Sequence, residues 1–233
     1  QNIGRILATL GELKVLDNTL IVFLADNGAS AEYVNHKGVQ GDVTGTWGTV
    51  NSFECISRGW AHAANTPMRL YKATSHEGGI NTPMIIHWPR GITCPGTVNR
   101  AACHLIDFLP TWMDLTDATY PGESTQEAIP PLDGISLRPT FSGQGLTRDN
   151  PLFFQFGQGR AVHEGPWKLV RRGRTPWELY DLSKDRTETQ DLAIMLPQRV
   201  NRMTVAWDDW FQTSTGKPFP TETKTKRAKR TKK

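Results

Sequence analysis

The feature that most constrains this chain is the run Leu20-Ile21-Val22-Phe23-Leu24. A half-exposed strand alternates apolar with polar residues, and a helix needs a longer segment. An unbroken run this short fits a strand buried on both faces, the type found in sheets sandwiched between helix layers. Just upstream, Ile3, Ile6, Leu7, Leu10 and Leu13 recur at spacings of three and four, which predicts a helix to about Leu16, stopped by Asp17-Asn18. A helix feeding such a strand predicts a parallel α/β sheet. A second buried strand is expected over residues 83–88. A helix is expected over residues 106–115, with Ile106, Leu109, Trp112, Met113 and Leu115 mostly on one side. Residues 29–66 show no sustained periodicity and predict a long connection, which in compact proteins is often functional. Residues 119–131, rich in Pro, Gly and polar residues, predict a surface excursion.

The texture changes near residue 151. Short apolar segments at residues 152–156, 160–163, 167–171 and 177–182, separated by Gly or Pro, predict an antiparallel meander. A last helix is expected over residues 197–211, with Leu196, Val200, Met203, Trp207 and Trp210 forming one stripe and Pro197 in its first turn. The expected organisation is an α/β part over residues 1–150, an antiparallel sheet and helix over residues 151–220, and a basic tail over residues 221–233. The tail holds seven Lys or Arg against Glu222 alone and so carries +6, leaving −2 for the rest of a chain whose net charge is +4. Such a block is either a solvated terminus or an attractant for a polyanion. Cys55, Cys94 and Cys103 are odd in number and lack C-x-x-C spacing, so they match neither a paired disulfide framework nor a zinc site. No run reaches the roughly eighteen apolar residues of a membrane span.

Two clusters can carry chemistry. Asp26-Asn27-Gly28 follows the first strand, at the carboxyl edge where open α/β sheets bind ligands, and its side chains offer hard oxygens suited to Ca²⁺ or Mg²⁺. Asn-Gly is equally a common turn signal. The second cluster runs from Lys72 through His76-Glu77-Gly78-Gly79 to Thr82-Pro83. Paired glycines permit close backbone approach, and the lysine can aim a compact positive charge at an anion. The plain alternative is a loop with a solvated Lys and a capping Glu.

Taken in order, Asp26-Asn27-Gly28, Asn65-Thr66-Pro67-Met68-Arg69, Lys72, Glu77-Gly78-Gly79, Thr82-Pro83 and His87-Trp88-Pro89 resemble the C-terminal portion of the type I, formylglycine-dependent sulfatases. The likeness continues through Arg160-Ala161-Val162, Trp167-Lys168-Leu169-Val170, Trp177 to Leu182, Asp185, Glu188 and Asp191-Leu192, and its style is that of the arylsulfatases of marine bacteria. The resemblance implies an α/β, alkaline-phosphatase-like sulfatase fold with a small C-terminal α+β subdomain, and hydrolysis of sulfate esters. It implies that Asp26 and Asn27 help hold a divalent cation, Ca²⁺ ahead of Mg²⁺. Lys72, five positions before Glu77 as in the family, would contact a sulfate oxygen and act in catalysis. His76 would line the substrate pocket or simply pack. The family nucleophile is a formylglycine made within C-x-P-S-R. No such motif occurs here, so it is expected upstream of Gln1, making this chain an incomplete piece, inactive alone. A sulfated small molecule or polysaccharide is the implied partner, with export to a bacterial periplasm or medium; a nucleic-acid partner rests on the tail alone and is not expected. Two other readings remain: a phosphoesterase of the alkaline-phosphatase superfamily, and a noncatalytic remnant that binds sulfated polyanions. Phe153 to Gly159 departs from the family, whose marine members carry Trp-Glu-His-Glu-Gly-Asn there.

Overall fold

A computed structural model of the protein describes residues 1–32, 46, 49, 56–121 and 129–220. The basic tail, Cys55 and parts of both expected connections lie outside the described residues.

The first helix, α1 (Asn2–Glu12), forms on the predicted spacing, and a 3-10 turn, Leu16–Asn18, leads into β1 (Ile21–Leu24). The chain continues through α2 (Ser57–Asn65), the one-turn α3 (Glu77–Ile80), β2 (Met84–His87) and α4 (Phe108–Thr116). β1 and β2 pair antiparallel, Ile21 opposite His87 and Leu24 opposite Met84. This corrects the parallel expectation for the first strand. An apolar run reports how many faces a strand is suited to bury, not which direction its neighbour takes. The face carrying Phe23 and its partner Ile85 is open among the described residues, at 53% and 62% exposure, and α1 buries none of its side chains.

The C-terminal part follows the predicted meander, with β3 (Leu152–Phe156), β4 (Gly159–Glu164), β5 (Trp167–Arg171) and β6 (Glu178–Asp181) pairing in order, all antiparallel. Gly157 and Gly165 take left-handed φ in the two-residue loops of its first two hairpins, which most side chains resist. The alternation of strand side chains gives the sheet two distinct faces. On one, Val162, Leu169 and Leu179 pack against Met203 and Trp207 of α5 (Pro197–Thr215). Trp207 is fully buried, stacks on Phe211, and donates its indole N–H to the Phe154 carbonyl at 3.1 Å. α5 outruns its predicted end and stops at Gly216, whose left-handed φ terminates the helix. On the other face, Ala161, Val170 and Tyr180 form a second small cluster. The same side carries Lys168, opposite both His163 and Tyr180, and turns it toward the loops of the α/β part.

Candidate functional site

β1 delivers Asp26, Asn27 and Gly28 at its carboxyl end. Asn27 donates from Nδ2 to Asp26 Oδ1 at 3.0 Å and to the Gly28 carbonyl at 3.3 Å. This leaves Asp26 Oδ2 and Asn27 Oδ1 without a hydrogen bond from the described residues. Both are hard oxygens, and their chemistry fits a Ca²⁺ or Mg²⁺ ion. Among the described residues no group of three or more His, Cys, Asp or Glu assembles a full coordination shell.

The glycine after this pair is present for close approach rather than for a left-handed turn. Gly28 is buried, its N–H donates to the Gly79 carbonyl at 3.0 Å, and a Cβ there would overlap the Gly78 carbonyl oxygen. The backbone ladder continues on both sides. Thr82 Oγ1 donates to Ala25 O at 2.8 Å, and Lys72 N donates to Ala29 O at 3.1 Å. Asn65 completes the clamp, accepting from Ala29 N and donating to Leu70 O, each at 3.0 Å. Asp26, Asn27 and Lys72 are therefore held on two loops bonded to each other. Leu70 and Ala73, close on either side of Lys72, keep left-handed φ values of 64° and 68°. Each costs on the order of 1 kcal/mol for a residue with a Cβ, and such outliers persist where the surroundings hold them.

Lys72 keeps its side chain about one-third exposed, with Nζ 2.9 Å from Glu32 Oε2. The bond from Lys72 holds the Glu32 carboxyl below its usual range. His76 lies elsewhere: its ring is 1% exposed, and Nε2 is 3.3 Å from Glu178 Oε2. In this arrangement it faces the C-terminal sheet rather than the loop opening, and its Nδ1 has no partner. The hydrogen bond from His76, reinforced by Tyr180 and Arg69 against the effect of burial, pulls the Glu178 carboxyl down to about 2. Arg69 NH1 also reaches Tyr180 OH at 2.7 Å.

Glu77, the first residue of α3, anchors a second set of contacts. Its Oε1 meets Lys168 Nζ at 2.6 Å, its Oε2 accepts from Asn81 Nδ2 at 2.7 Å, and its backbone N–H donates to Glu188 Oε2 at 2.9 Å. Lys168 is also 2.9 Å from Glu188 Oε1, an ion pair outside hydrogen-bond alignment. Burial opposes ionisation of Glu77, but Lys168 and Asn81 together hold its carboxyl below the usual range. In the sequence Lys168, Glu188, Glu178 and Arg69 stand only as members of motifs, with no role attached to any of them. The one available signal was a lysine inside the apolar segment Trp167-Lys168-Leu169-Val170, where only a buried partner makes the charge tolerable.

An open cavity of about 650 Å³ lies beside this network, lined by residues including His62, Arg69, Glu178, Tyr180 and Asp191, and none of Asp26, Asn27, Lys72 or His76 reaches it. Glu178 and Asp191 already accept hydrogen bonds, so the loops around Lys72 are the better candidate for chemistry. The departing segment at residues 153–159 forms β3 and its turn, and a Cβ on Gly159 would lie 3.2 Å from Ser75 Oγ, close to the same loops.

The sequence matches the family described as Sulfatase over residues 1–118 and the family described as N-sulphoglucosamine sulphohydrolase, C-terminal, over residues 69–202. It is similar to an uncharacterized sulfatase of Schizosaccharomyces pombe, 32% identical over 223 residues, covering 88% of this chain and 40% of that protein. A sulfatase of Formosa agariphila is 28% identical, with 85% and 34% covered, and human arylsulfatase A is 29% identical, with 65% and 23% covered. The chain thus spans at most about two-fifths of the length of these relatives. Among solved structures, Ps i-CgsB, determined also with k-i-k-neocarrahexaose, superposes with a TM-score of 0.66 at 23% identity, covering 89% of this chain and 40% of that one. BT4656, bound to D-glucosamine-2-N,6-O-disulfate, gives 0.60 at 18% identity, covering 95% and 40%. These likenesses show the alkaline-phosphatase-like fold.

Proposed function

This chain belongs to the sulfatase family, and from that premise we propose that it supplies the C-terminal part of a sulfuric ester hydrolase, contributing two metal-binding oxygens and one catalytic cation. The observation that carries the reading is the backbone clamp between residues 25–29 and 65–82, which holds Asp26, Asn27 and Lys72 on adjoining loops at the carboxyl end of β1.

Asp26 and Asn27 would hold the ion through Asp26 Oδ2 and Asn27 Oδ1. When bound, a divalent cation offsets charge on the sulfate group. Lys72 directs its ammonium at a sulfate oxygen and stabilises the negative charge that grows on the transferred group and on the leaving oxygen. An arriving sulfate ester competes with Glu32 for Lys72, so that ion pair holds the side chain in place between turnovers. His76 holds Glu178 at the junction with the C-terminal sheet. The formylglycine nucleophile of the family belongs to the same proposal and is contributed by sequence other than these 233 residues. The saccharides bound by two structural neighbours, k-i-k-neocarrahexaose and D-glucosamine-2-N,6-O-disulfate, support a sulfated saccharide as substrate, and a simple aryl sulfate serves as a reporter. Export to a bacterial periplasm or medium is part of this reading, and cell fractionation tests it. No helix among the described residues is long and apolar enough to cross a membrane.

The test is to assay the complete gene product on a chromogenic aryl sulfate and on the matching aryl phosphate, with and without Ca²⁺. Turnover of the sulfate, dependent on Ca²⁺ and reduced about a hundredfold or more in kcat/KM by Lys72→Ala, is the expected result. Preference for the phosphate ester, or binding of sulfated saccharides without turnover, would overturn it.

A further inference from the structure

A buried ammonium joins the C-terminal sheet to the candidate site. Lys168 and Glu188 are both fully buried, and Glu77 is nearly so. Burying such a cluster is a poor route to stability, because apolar replacements of similar volume commonly do as well or better, so its presence calls for another account. Its position supplies one. Glu77 opens α3, and from there Gly78 N donates to Arg69 O at 2.7 Å while Gly79 O accepts from Gly28 N at 3.0 Å. Glu188, which accepts the Glu77 backbone N–H, itself holds a left-handed φ of 56°. A non-glycine residue stays there only when its surroundings hold it.

We propose that Lys168 and Glu188 are positioning residues for the active site: acting through Glu77 they fix the turn at residues 77–80, and through that turn the placement of Asp26, Asn27 and Lys72. The role rests on the function proposed above. Neither residue touches substrate; they make the small C-terminal sheet part of the catalytic apparatus. The cluster carries two carboxylates against one ammonium. The groups facing it are Asn81, His163 on β4 with Arg148 acting on it, Tyr180 opposite Lys168 on β6, and the Arg69–Glu178–His76 set on the neighbouring loop and β6. Burial lowers the tendency of His163 to take up a proton, so Lys168 supplies the nearest cation. Removing it leaves Glu77 and Glu188 facing each other in a dry site, which raises the pH at which one of them takes up a proton. The double change Lys168→Met with Glu188→Gln keeps the net charge of the wild-type cluster.

The test uses the complete gene product as wild type, Lys168→Met, Lys168→Arg and Lys168→Met/Glu188→Gln, with two readouts. The first is amide hydrogen exchange. In Lys168→Met, exchange at residues 26–30 and 72–80 should rise about tenfold or more while amides of β3–β6 stay within about threefold of wild type. The second is the pH profile on an aryl sulfate. Lys168→Met should lose about tenfold or more in kcat at about pH 8, recover partly near pH 6, and be rescued at pH 8 by the second change. A merely structural lysine would spread the exchange over the whole sheet and leave the shape of the pH profile unchanged, and that outcome overturns the proposal. So does wild-type protection at residues 26–30 in Lys168→Met. If Lys168→Met does not fold, Lys168→Arg, which keeps the charge but alters the reach, is read by hydrogen exchange alone: raised exchange at residues 26–30 and 72–80 with β3–β6 unchanged supports the proposal, and wild-type protection there overturns it. An inert wild type overturns the sulfatase reading alone, because the exchange pattern still decides whether Lys168 positions the loops.

Discussion

Gly28 shows how one absent atom can hold a site together. Its Cβ position is filled by the Gly78 carbonyl, so the two loops touch backbone to backbone. Gly28→Ala should therefore cost about 1–3 kcal/mol, since relief of the overlap requires the loops to part. A thermal melt reads the stability loss, and aryl sulfate turnover should fall more steeply than stability does. The acid response is also set by single residues. Burial makes His163 harder to protonate when folded, whereas in the unfolded chain it takes up a proton near its ordinary value of 6.5. Below that pH the unfolded state binds the extra proton, so stability falls as pH drops through about 6.5. Glu178 acts lower: its carboxyl ionises at about 2 when folded against an ordinary 4.5, so its contribution is complete above 4.5 and lost as pH falls toward 2. Urea midpoints measured downward from about pH 7.5 should decline in two stages; His163→Asn should lessen the first, which His104 shares, and Glu178→Gln the second, which the other lowered carboxylates share.

Among the elements, the sheet and α5 form the best-packed unit. Trp207 is fully buried, stacks on Phe211 with ring centroids 5.1 Å apart, and bonds to the β3 backbone. Trp207→Ala should cost about 3–5 kcal/mol, a loss visible as a large drop in melting temperature. Ile194→Ser, at a position 95% exposed, should stay within about 0.5 kcal/mol of wild type. These elements were legible beforehand. Short segments separated by Gly or Pro marked β3 to β6, and the stripe from Leu196 to Trp210 marked α5, because Val162, Leu169 and Leu179 face a core supplied by this same stretch of chain. β1 and β2 were located by the same logic, but their mutual direction was not, since hydrophobic runs carry no record of strand polarity. The one-turn α3 is not legible in the sequence because Glu77-Gly78-Gly79-Ile80 has low helix propensity and forms under the pull of Lys168, Glu188 and Arg69.

At the scale of the whole molecule, the α/β part presents much apolar surface. Ile3, Ile6 and Leu13 of the N-terminal helical segment are 52–64% exposed, and Phe23 and Ile85 are similarly open. A patch of this kind attracts other apolar surface. The 233-residue polypeptide by itself should bind a hydrophobic dye such as ANS and elute as associated species, and Ile3→Ser/Ile6→Ser should reduce both effects. By its own residues the sequence determined the family, the meander with its helix, and which residue types stand in the loops after β1 and before β2. Those are properties of local order and spacing, so they can be read along the chain. Only the tertiary structure decided that Gly28 meets Gly78 and that Lys168 meets Glu77, pairs separated by 50 and 91 positions. Such contacts depend on backbones brought within hydrogen-bond reach by the packing of everything between them, and no local pattern encodes a distance across the fold.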